Sequence, residues 1–458
     1  MNYDLIILGG GPAGYFAAER AAEAGFNTVL FEERSLGGVC LNEGCIPTKS
    51  LLHSAKLYTN ARHGEAYGVY ADNIRLDHKV VVERKNNVTQ KLVKGVAATL
   101  KQKQVNVVNA TGTIKGKNEN GFIVEVNGEE YTGSRLLICT GSEVAIPKIS
   151  GIESALESGF LLTSREILDL ETVPERLVIA GGGIIGLELA DYFAMAGSDV
   201  TVVEMMPEVG GAIDSELAST LRTNLEGLGV KFLLNTKVVG FESGLLRCIR
   251  NDSNEIEESI YADKALLSIG RKPRTNGIGL ETIGIYTEKG AIVTDSKMRT
   301  SLPMVWAAGD VNGKMMLAHT AYREAAVAIN DIAGIADTMC YDAIPQIVYT
   351  SPEVACVGET EETATAKGYK YEKAKIPLMY SGRYVAESTK VDGFIKVLAE
   401  KKTRRILGVH IIGLYASEII LSAAVLVGSK RNVKSAAKIV YPHPTVGEVL
   451  RDALLELM

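Results

Sequence analysis

Cysteine, net positive charge and long apolar runs are all scarce in this sequence of 458 residues. Six cysteines in so long a chain do not make a disulfide scaffold. A formal net charge of -6 gives no basic surface of the kind that binds nucleic acid backbones. No apolar run reaches the roughly 20 residues that cross a bilayer, and Asp4 lies where a signal peptide would be apolar. We therefore expect a cytoplasmic protein that binds neither nucleic acid nor membrane.

Two segments of the chain, residues 3–33 and 176–204, repeat one order of elements. Each has an apolar strand, a glycine-rich turn, a helix and a second apolar strand that ends in glutamate. The third glycine and the glutamate lie eighteen residues apart in both segments. Two such strand–turn–helix–strand units predict two dinucleotide sites on one chain.

The turn in each repeat has the pattern G-x-G-x-x-G. The first glycine permits a tight turn, the second lets the backbone approach a pyrophosphate, and the third lets the helix pack on the strand. The helix amino terminus then faces the phosphates, and the glutamate can accept hydrogen bonds from ribose hydroxyls. A glycine-rich turn alone would be weak evidence, but both copies carry the whole pattern. The residues are Gly9, Gly11, Gly14 and Glu32 in the first repeat, and Gly181, Gly183, Gly186 and Glu204 in the second.

The second site is predicted to bind NAD rather than NADP. Glu204 would repel a 2′-phosphate, and the residues that follow it, Met205 and Met206, supply no arginine to bind one.

Two of the cysteines, Cys40 and Cys45, lie together in the segment GGVCLNEGCIPTK. Pro47 suits the first turn of a helix, so Cys45 is expected just before a helix amino terminus, where the positive end of the dipole favours a thiolate. The alternative is a structural disulfide or two buried thiols. Closing so small a loop stabilises by only roughly 2 kcal/mol, so the pair is better explained as an exchangeable dithiol.

The segment YPHPTVGEVLRDALLELM closes the sequence and offers a base. His443 lies between two prolines, and Glu448 follows five residues later. Histidine suits proton exchange with thiols, and a carboxylate partner would hold its tautomer. Thr445 and Glu448 could instead form a capping box at the start of the last helix. The remaining histidines have no metal-ligand spacing, and no metal site is predicted.

The cysteine segment closely resembles that of the dihydrolipoyl dehydrogenases, and more loosely that of glutathione and mercuric reductases. All belong to the pyridine nucleotide–disulfide oxidoreductases, and the resemblance extends through both glycine turns, an AGDV segment from Ala308 and the final HPT segment. It implies an α/β fold with two Rossmann-like domains, which bind FAD and NAD, and central and C-terminal α+β domains. The domains expected are FAD-binding (1–144), NAD-binding (145–265), central (266–336) and dimerisation (337–458).

The resemblance also implies roles for single residues. Cys40 would exchange with the substrate and Cys45 would face the flavin, with His443 and Glu448 as the base and its partner. Lys49 and Glu188 would pair beside the flavin ring, although both could instead be solvated charges. Asp310 would hold the ribityl chain, although it could instead cap the helix expected from Ala318. The implied FAD residues also include Gly141 and Ala318, and the implied NAD residues include Glu188 and Gly270.

The activity implied is oxidation of protein-bound dihydrolipoamide to lipoamide, with electrons passing through the cysteine pair and FAD to NAD+. The enzyme would be a homodimer whose active site is shared between subunits. It would serve a lipoyl-carrying acyltransferase or carrier protein of a 2-oxoacid dehydrogenase or glycine cleavage complex. Tyr441 departs from the pattern, because these enzymes commonly have a second histidine there. The alternative is an NAD(P)H-dependent reductase of another disulfide or of a metal ion.

Overall fold

The computed structural model describes residues 2–250, 257–389 and 392–458. None of the helices in these ranges is long and apolar enough to span a membrane. The helices of the described residues, in chain order, are α1 Pro12–Glu23, α2 Gly38–Glu43, α3 Cys45–Arg62, α4 His78–Gln102, α5 Ile152–Glu157, α6 Ile184–Ala196, α7 Ser215–Gly227, α8 Ala318–Ile332, α9 Glu361–Ala366, α10 Gly382–Glu387, α11 Ala416–Gly428, α12 Val433–Ala436 and α13 Val449–Glu456.

The strands are mostly short, as expected for sheets whose strands are joined by helices and tight turns. In chain order they are β1 Asn2–Tyr3, β2 Leu5–Leu8, β3 Thr28–Phe31, β4 Asn106–Val108, β5 Thr113–Asn118, β6 Gly121–Val126, β7 Glu129–Gly133, β8 Leu136–Ile138, β9 Ser142–Val144, β10 Leu161–Leu162, β11 Arg176–Ala180, β12 Asp199–Val203, β13 Lys231–Leu233, β14 Thr236–Glu242, β15 Leu245–Arg250, β16 Glu257–Tyr261, β17 Lys264–Leu267, β18 Arg271–Pro273, β19 Thr287–Glu288, β20 Ala291–Ile292, β21 Val305–Ala307, β22 Gln346–Val348, β23 Glu353–Gly358, β24 Tyr371–Pro377, β25 Phe394–Glu400 and β26 Ile406–Gly413.

The described chain divides into two compact units, of which the first comprises residues 2–50, 82–146 and 270–340. Its centre is a five-stranded parallel sheet in the order β21-β8-β2-β3-β4. Strand β2 is buried along its whole length, and its apolar side chains pack under a second sheet, β1-β7-β6-β5. The first glycine turn leaves the carboxyl end of β2, at the point in the sheet where strand order reverses and ligands commonly bind.

The second unit comprises residues 51–81, 147–269 and 341–458. Its parallel sheet, β10-β17-β11-β12-β13, repeats the arrangement of the first sheet, with the second glycine turn after the central strand β11. A separate antiparallel sheet, β22-β23-β26-β25-β24, packs against α11 and α13 through a core that is apolar throughout. Strand β26 is buried at every position because it is central in that sheet and covered on both faces, on one by α11 and on the other by α7.

The predicted α/β class with two Rossmann-like units and α+β parts is confirmed. The sequence predicts a helix from Ala318 to Ile332, and α8 has these bounds. The apolar residues within 261–270 predict one strand there, and this prediction is wrong, because Tyr261 ends β16 and the parallel strand β17 covers only Lys264–Leu267. Two charged residues, Asp263 and Lys264, interrupt this stretch. The chain turns at Asp263, whose carboxylate accepts a hydrogen bond from the Arg176 backbone N–H.

Candidate active site

The first glycine turn is closed by backbone contacts that only glycine allows. Gly9 has a φ of +98°, and a Cβ there would lie 2.2 Å from the carbonyl oxygen of Cys139. A Cβ on Gly14 would lie 1.8 Å from the carbonyl oxygen of Gly9. The second turn repeats this packing, because a Cβ on Gly186 would lie 2.3 Å from the carbonyl oxygen of Gly181. The outer glycines of both motifs are therefore required by the fold itself.

The middle glycines, Gly11 and Gly183, are not required in this way. Their φ angles, -71° and -74°, are open to any residue. A Cβ on Gly183 would meet no protein atom within 4 Å, and one on Gly11 would meet only Gly38, at 3.8 Å. Each lies at a helix start that has no side-chain cap. This open space beside uncapped N–H groups is what a pyrophosphate needs, so both turns fit a dinucleotide.

The two acidic residues hold the turns together. The Glu32 carboxylate accepts hydrogen bonds from the Gly10 N–H at 2.7 Å and the Arg34 N–H at 2.8 Å. The Glu204 carboxylate accepts from the Gly182 N–H at 2.7 Å and from the Met206 N–H at 2.8 Å. Each carboxylate oxygen retains lone pairs that a ribose hydroxyl could use.

The cysteine segment forms two consecutive helices beside the first glycine turn. Cys40 lies in α2, and Cys45 is the first residue of α3, one position further into the helix than expected. Helix α2 starts against the turn: the Gly37 N–H donates to the Gly10 carbonyl at 2.8 Å, and a Cβ on Gly38 would lie 2.7 Å from the Cα of Gly11.

The thiols of Cys40 and Cys45 are hydrogen-bonded rather than joined in a disulfide. That hydrogen bond raises the pKa of the Cys40 thiol, and burial and the negative charge of Asp310 add to the effect. The positive charge of Lys49 opposes it. Cys40 therefore keeps its proton while it donates to its neighbour, and Lys49 lies within electrostatic reach of the pair.

Asp310 belongs to the same unit and is held by two residues that the sequence did not single out. The Ser142 hydroxyl donates to the Asp310 carboxylate at 2.5 Å, and the Arg271 guanidinium donates to the Ser142 hydroxyl and carbonyl oxygens, both at 2.8 Å. Burial raises the pKa of Asp310, against the Ser142 hydrogen bond and the charge of Arg271. Ser142 and Arg271 directly follow Gly141 and Gly270, two glycines that are predicted to bind cofactors. This proximity is the sequence feature from which their place in the site could have been predicted.

The suggestion that Asp310 caps the helix at Ala318 is wrong. Asp310 begins a short 3-10 turn, and the residue that precedes α8 is Leu317, which has no capping side chain. The Glu324 carboxylate, which is fully buried in α8, instead accepts hydrogen bonds from the Gly309 N–H at 2.6 Å and the Asn312 amide at 2.9 Å. The position of Glu324 among the alanines of α8 is the sequence feature from which this role could have been predicted. Ala318 is the first residue of this uncapped helix.

In the second unit, Glu188 lies in the first turns of α6 and is buried. Its carboxylate accepts a hydrogen bond from the Tyr349 N–H at 3.0 Å. The alternative of a solvated surface charge is therefore wrong for Glu188. Lys49, on α3 in the first unit, is half-buried. Gly270 has a φ of +114° and open space around its Cα.

His443 and Glu448 form a direct pair. The Nδ1 atom of His443 lies 2.7 Å from Oε2 of Glu448, with the imidazole 74% exposed and the carboxylate 4% exposed. The capping box is not formed, because the Thr445 hydroxyl donates to the Pro442 carbonyl at 2.8 Å instead. A buried carboxylate thus orients an exposed imidazole. Tyr441 is half-buried against the apolar core of the antiparallel sheet.

Comparison with known protein families identifies the family to which this combination of folds and residues belongs. The model of the pyridine nucleotide-disulphide oxidoreductases matches residues 3–325, and the model of the dimerisation domain of the same family matches residues 344–454. The chain belongs to the pyridine nucleotide-disulphide oxidoreductase family. The dimerisation domain supports a homodimer.

Within that family, the chain is similar over almost its full length to dihydrolipoyl dehydrogenases. It is 36% identical over 460 residues to the mitochondrial enzyme of Pisum sativum, covering 99% of this chain and 91% of the relative. It is 39% identical over 458 residues to the enzyme of Thermus scotoductus, covering 99% and 96%. The resemblance inferred from the cysteine segment is confirmed.

Two solved structures are also similar to this chain over almost its whole length. The HOCl-induced flavoprotein disulfide reductase RclA of Escherichia coli, in its Cu(II) complex, has a TM-score of 0.87 and 26% identity, covering 100% of both chains. LpdA of Mycobacterium tuberculosis has a TM-score of 0.89 and 25% identity, covering 99% of both chains.

Within the described ranges, no group of three or more His, Cys, Asp or Glu residues could hold a metal ion.

Proposed function

We propose that this protein oxidises protein-bound dihydrolipoamide to lipoamide, with FAD as the resident cofactor and NAD+ as the electron acceptor. The observation that carries the proposal is the hydrogen-bonded pair of Cys40 and Cys45, which lies beside the first glycine turn. Full-length similarity to dihydrolipoyl dehydrogenases supports the choice of substrate.

Residues 1–144 and 266–336 would hold FAD, and residues 145–265 would hold NAD. The space beside Gly11 and Gly183 fits the two pyrophosphates, and Glu32 and Glu204 would meet the riboses. When bound, FAD supplies the two-electron chemistry that returns the cysteine pair to a disulfide, with NAD+ receiving the electrons. Lys49 would pair with Glu188 beside the flavin, and Asp310, held by Ser142 and Arg271, would bind the ribityl chain. Gly141, Ala318 and Gly270 would line these sites.

Thiol–disulfide exchange would be carried out by the cysteine pair. A substrate thiolate attacks the sulfur of Cys40, which forms a mixed disulfide and breaks the bond to Cys45. Cys45 leaves as a thiolate at the start of α3, where the helix dipole stabilises negative charge. The second substrate thiolate then attacks the substrate sulfur in the mixed disulfide, which releases lipoamide and returns Cys40 to the thiol.

His443 would take up the substrate protons in this exchange. Its hydrogen bond to Glu448 through Nδ1 leaves Nε2 to accept a proton and stabilises the imidazolium that results. We propose that this residue serves the active site of the partner subunit, and the exposure of its imidazole in a single chain supports that role. We further propose that the substrate is carried by a lipoyl-carrying acyltransferase or carrier protein, and that the protein is cytoplasmic.

The second candidate is an NAD(P)H-dependent reductase of another disulfide or of a metal ion. Two observations favour it: Tyr441 replaces the second histidine common in dihydrolipoyl dehydrogenases, and the fold matches a disulfide reductase solved as a Cu(II) complex. Glu204 disfavours NADPH, since its carboxylate would face the 2′-phosphate.

One assay separates the two candidates. With fully flavinylated protein, NAD+ reduction by dihydrolipoamide is compared with NAD(P)H oxidation by glutathione disulfide; we expect only the first reaction. Cys45→Ser should abolish turnover and the long-wavelength absorbance of the two-electron-reduced enzyme. Cys340→Ser, which changes an exposed cysteine outside the pair, is the matched control. Glutathione disulfide turnover without lipoamide turnover would overturn the proposal.

A further inference from the structure

Two tyrosines of the first unit meet at the amino termini of helices α1 and α8. The hydroxyls of Tyr15 and Tyr322 are hydrogen-bonded, and their rings meet edge to face with centroids 5.9 Å apart. Phe16 packs against the ring of Tyr322 at 5.4 Å. Both tyrosines are only partly buried. The pair is thus fixed in position by aromatic contacts while its hydroxyls remain near a surface.

Close packing brings this tyrosine pair to the cysteine segment. Gly309 lies between the two helices, where its Cβ would be 3.2 Å from Ala13 and 3.5 Å from Ala321. Helix α2 starts in contact with the turn that opens α1, because a Cβ on Gly38 would lie 2.7 Å from the Cα of Gly11. Cys40 follows two residues later, so the exchangeable thiol lies on a helix that starts against the turn before α1, the helix that carries Tyr15.

The charges of the two groups influence each other. Burial and the bond to Tyr322 raise the pKa of Tyr15, and a negative charge on Cys40 raises it further. Burial raises the pKa of Tyr322, the bond from Tyr15 lowers it, and charges on Cys40 and Cys45 raise it again. Both phenols therefore keep their protons when a thiolate is present.

Two hydroxyls that share one hydrogen bond use only one of their two hydrogens. The second hydrogen can be donated outside the pair. Either hydroxyl of the pair can donate to the other. When Tyr15 donates, its bond lowers the pKa of Tyr322 and strengthens the bond that Tyr322 donates in turn. In that arrangement the Tyr322 hydrogen is the one that can be donated outside the pair, and Tyr322 is influenced by the charges of both Cys40 and Cys45.

We propose that the Tyr322 hydroxyl, supported by Tyr15, donates a hydrogen bond to the substrate sulfur that exchanges with Cys40. This inference rests on the proposed function. When the substrate thiolate attacks Cys40, the S–S bond to Cys45 breaks and negative charge is shared among three sulfurs in line. By donating to the substrate sulfur, Tyr322 lowers the pKa of that thiol, so that more of it is present as the attacking thiolate, and Tyr322 keeps its own proton throughout. Hydrogen bonds to ionised groups are about twice as strong as neutral ones, so this bond favours the thiolate over the thiol.

Tyr322→Phe tests the proposal, because it removes the hydroxyl and retains the ring contacts. The two half-reactions are measured separately by rapid mixing of flavinylated protein with dihydrolipoamide or with NADH. We expect the dihydrolipoamide half-reaction to slow by about 10- to 100-fold, the effect of losing one hydrogen bond to a charged group, and the NADH half-reaction to change less than about twofold. Tyr131→Phe, which removes a hydroxyl elsewhere in the same unit, is the matched control and should alter neither reaction.

A merely structural role for the pair would give a different result. A structural role would slow both half-reactions together or release FAD, and either outcome overturns the proposal. An unchanged dihydrolipoamide half-reaction also overturns it. If wild-type protein does not react with dihydrolipoamide, the proposed function fails, and the tyrosine proposal is then decided by a second measurement. In that measurement, dithionite-reduced protein exchanges with 4,4′-dithiodipyridine. Slower exchange in Tyr322→Phe supports the donor role, and an equal rate overturns it.

Discussion

A buried lysine of the second unit allows a direct test of how much its ion pairs stabilise the antiparallel sheet. Lys396 lies on β25 with its side chain 1% exposed, and its ammonium is 2.7 Å from the Asp214 carboxylate, whose side chain is fully buried. It also lies 3.1 Å from Glu216 and 2.8 Å from Glu361, which are partly exposed. Burial alone would favour a neutral amine, but the bonds to these carboxylates raise the pKa of Lys396.

Lys396→Met should be strongly destabilising. Methionine fills a similar volume but leaves Asp214 as a buried charge whose nearest remaining donors are the N–H groups of Glu216 at 3.2 Å and Leu217 at 3.4 Å. Removing one partner of a buried ion pair costs about 3–5 kcal/mol. We expect a decrease of that size in the free energy of unfolding, measured by urea denaturation with FAD in excess.

Two controls isolate the buried pair. Lys375→Met removes an exposed partner of Glu216, and should cost less than about 1 kcal/mol, as surface ion pairs do. The double variant Lys396→Met with Asp214→Asn should recover part of the loss, because asparagine retains the capping oxygen and carries no charge. The reasoning is refuted if Lys396→Met and Lys375→Met are equally mild, or if the second substitution adds to the loss.

The same cluster predicts how stability depends on pH. Burial tends to raise the pKa of Glu361, but the bonds from Lys396 and Lys373 outweigh it and lower that pKa to about 2 from an ordinary value of 4.5. A carboxyl whose pKa is lowered by folding stabilises the protein above its unfolded pKa, and this contribution is lost as pH falls from about 4.5 to about 2. Lys396→Met removes one cause of the lowered pKa, so its stability should fall less steeply than wild type over this range.

Two further predictions concern the second glycine turn. Gly183→Ala should leave folding unchanged but weaken NAD+ binding at least about tenfold, because its Cβ meets no protein atom yet occupies the pyrophosphate space. The control, Gly186→Ala, should instead lower thermal stability, because its Cβ would collide with the Gly181 carbonyl. Equal NAD+ affinities of wild type and Gly183→Ala would contradict the assignment. Glu204→Gln should reduce the preference for NAD+ over NADP+ by about tenfold or more, because juxtaposed like charges cost several kcal/mol. The preference is measured as the ratio of the kcat/KM values for the two nucleotides. An unchanged ratio would exclude a role for this charge in specificity.

The sequence predicted those parts of the molecule that depend on local patterns. Both glycine turns, the strands before them and the helix from Ala318 have local signatures, because a tight turn needs glycine and an amphipathic helix needs apolar spacing. The pairing of His443 with Glu448 was one of two alternatives at the sequence level. The choice depended on where the Thr445 hydroxyl is bonded, and a contact between Thr445 and Pro442 has no signature in the residue types alone.

Contacts between distant parts of the chain were not predictable in the same way. Ser142 and Arg271 hold Asp310 from 168 and 39 residues away in the sequence, and Tyr15 meets Tyr322 across 307 residues. Such contacts follow from strand order and from helix packing around Gly309, which single-residue patterns do not encode. Sequence analysis therefore identified residues near the reacting groups, but it missed the residues that hold or support them.

The geometry also changes which residue of each repeat is the better evidence for a nucleotide. The sequence pattern predicts that the acid at the end of the second strand binds a ribose, yet Glu32 and Glu204 both accept hydrogen bonds from the backbone of their own turn. The fold alone would thus favour an acid at that position. Gly11 and Gly183 have ordinary φ angles and open surroundings, so the protein fold gives no reason for glycine there. A ligand that comes within contact of the backbone does give a reason. The middle glycine of each motif, and not the acid, therefore carries the inference that both turns hold a dinucleotide.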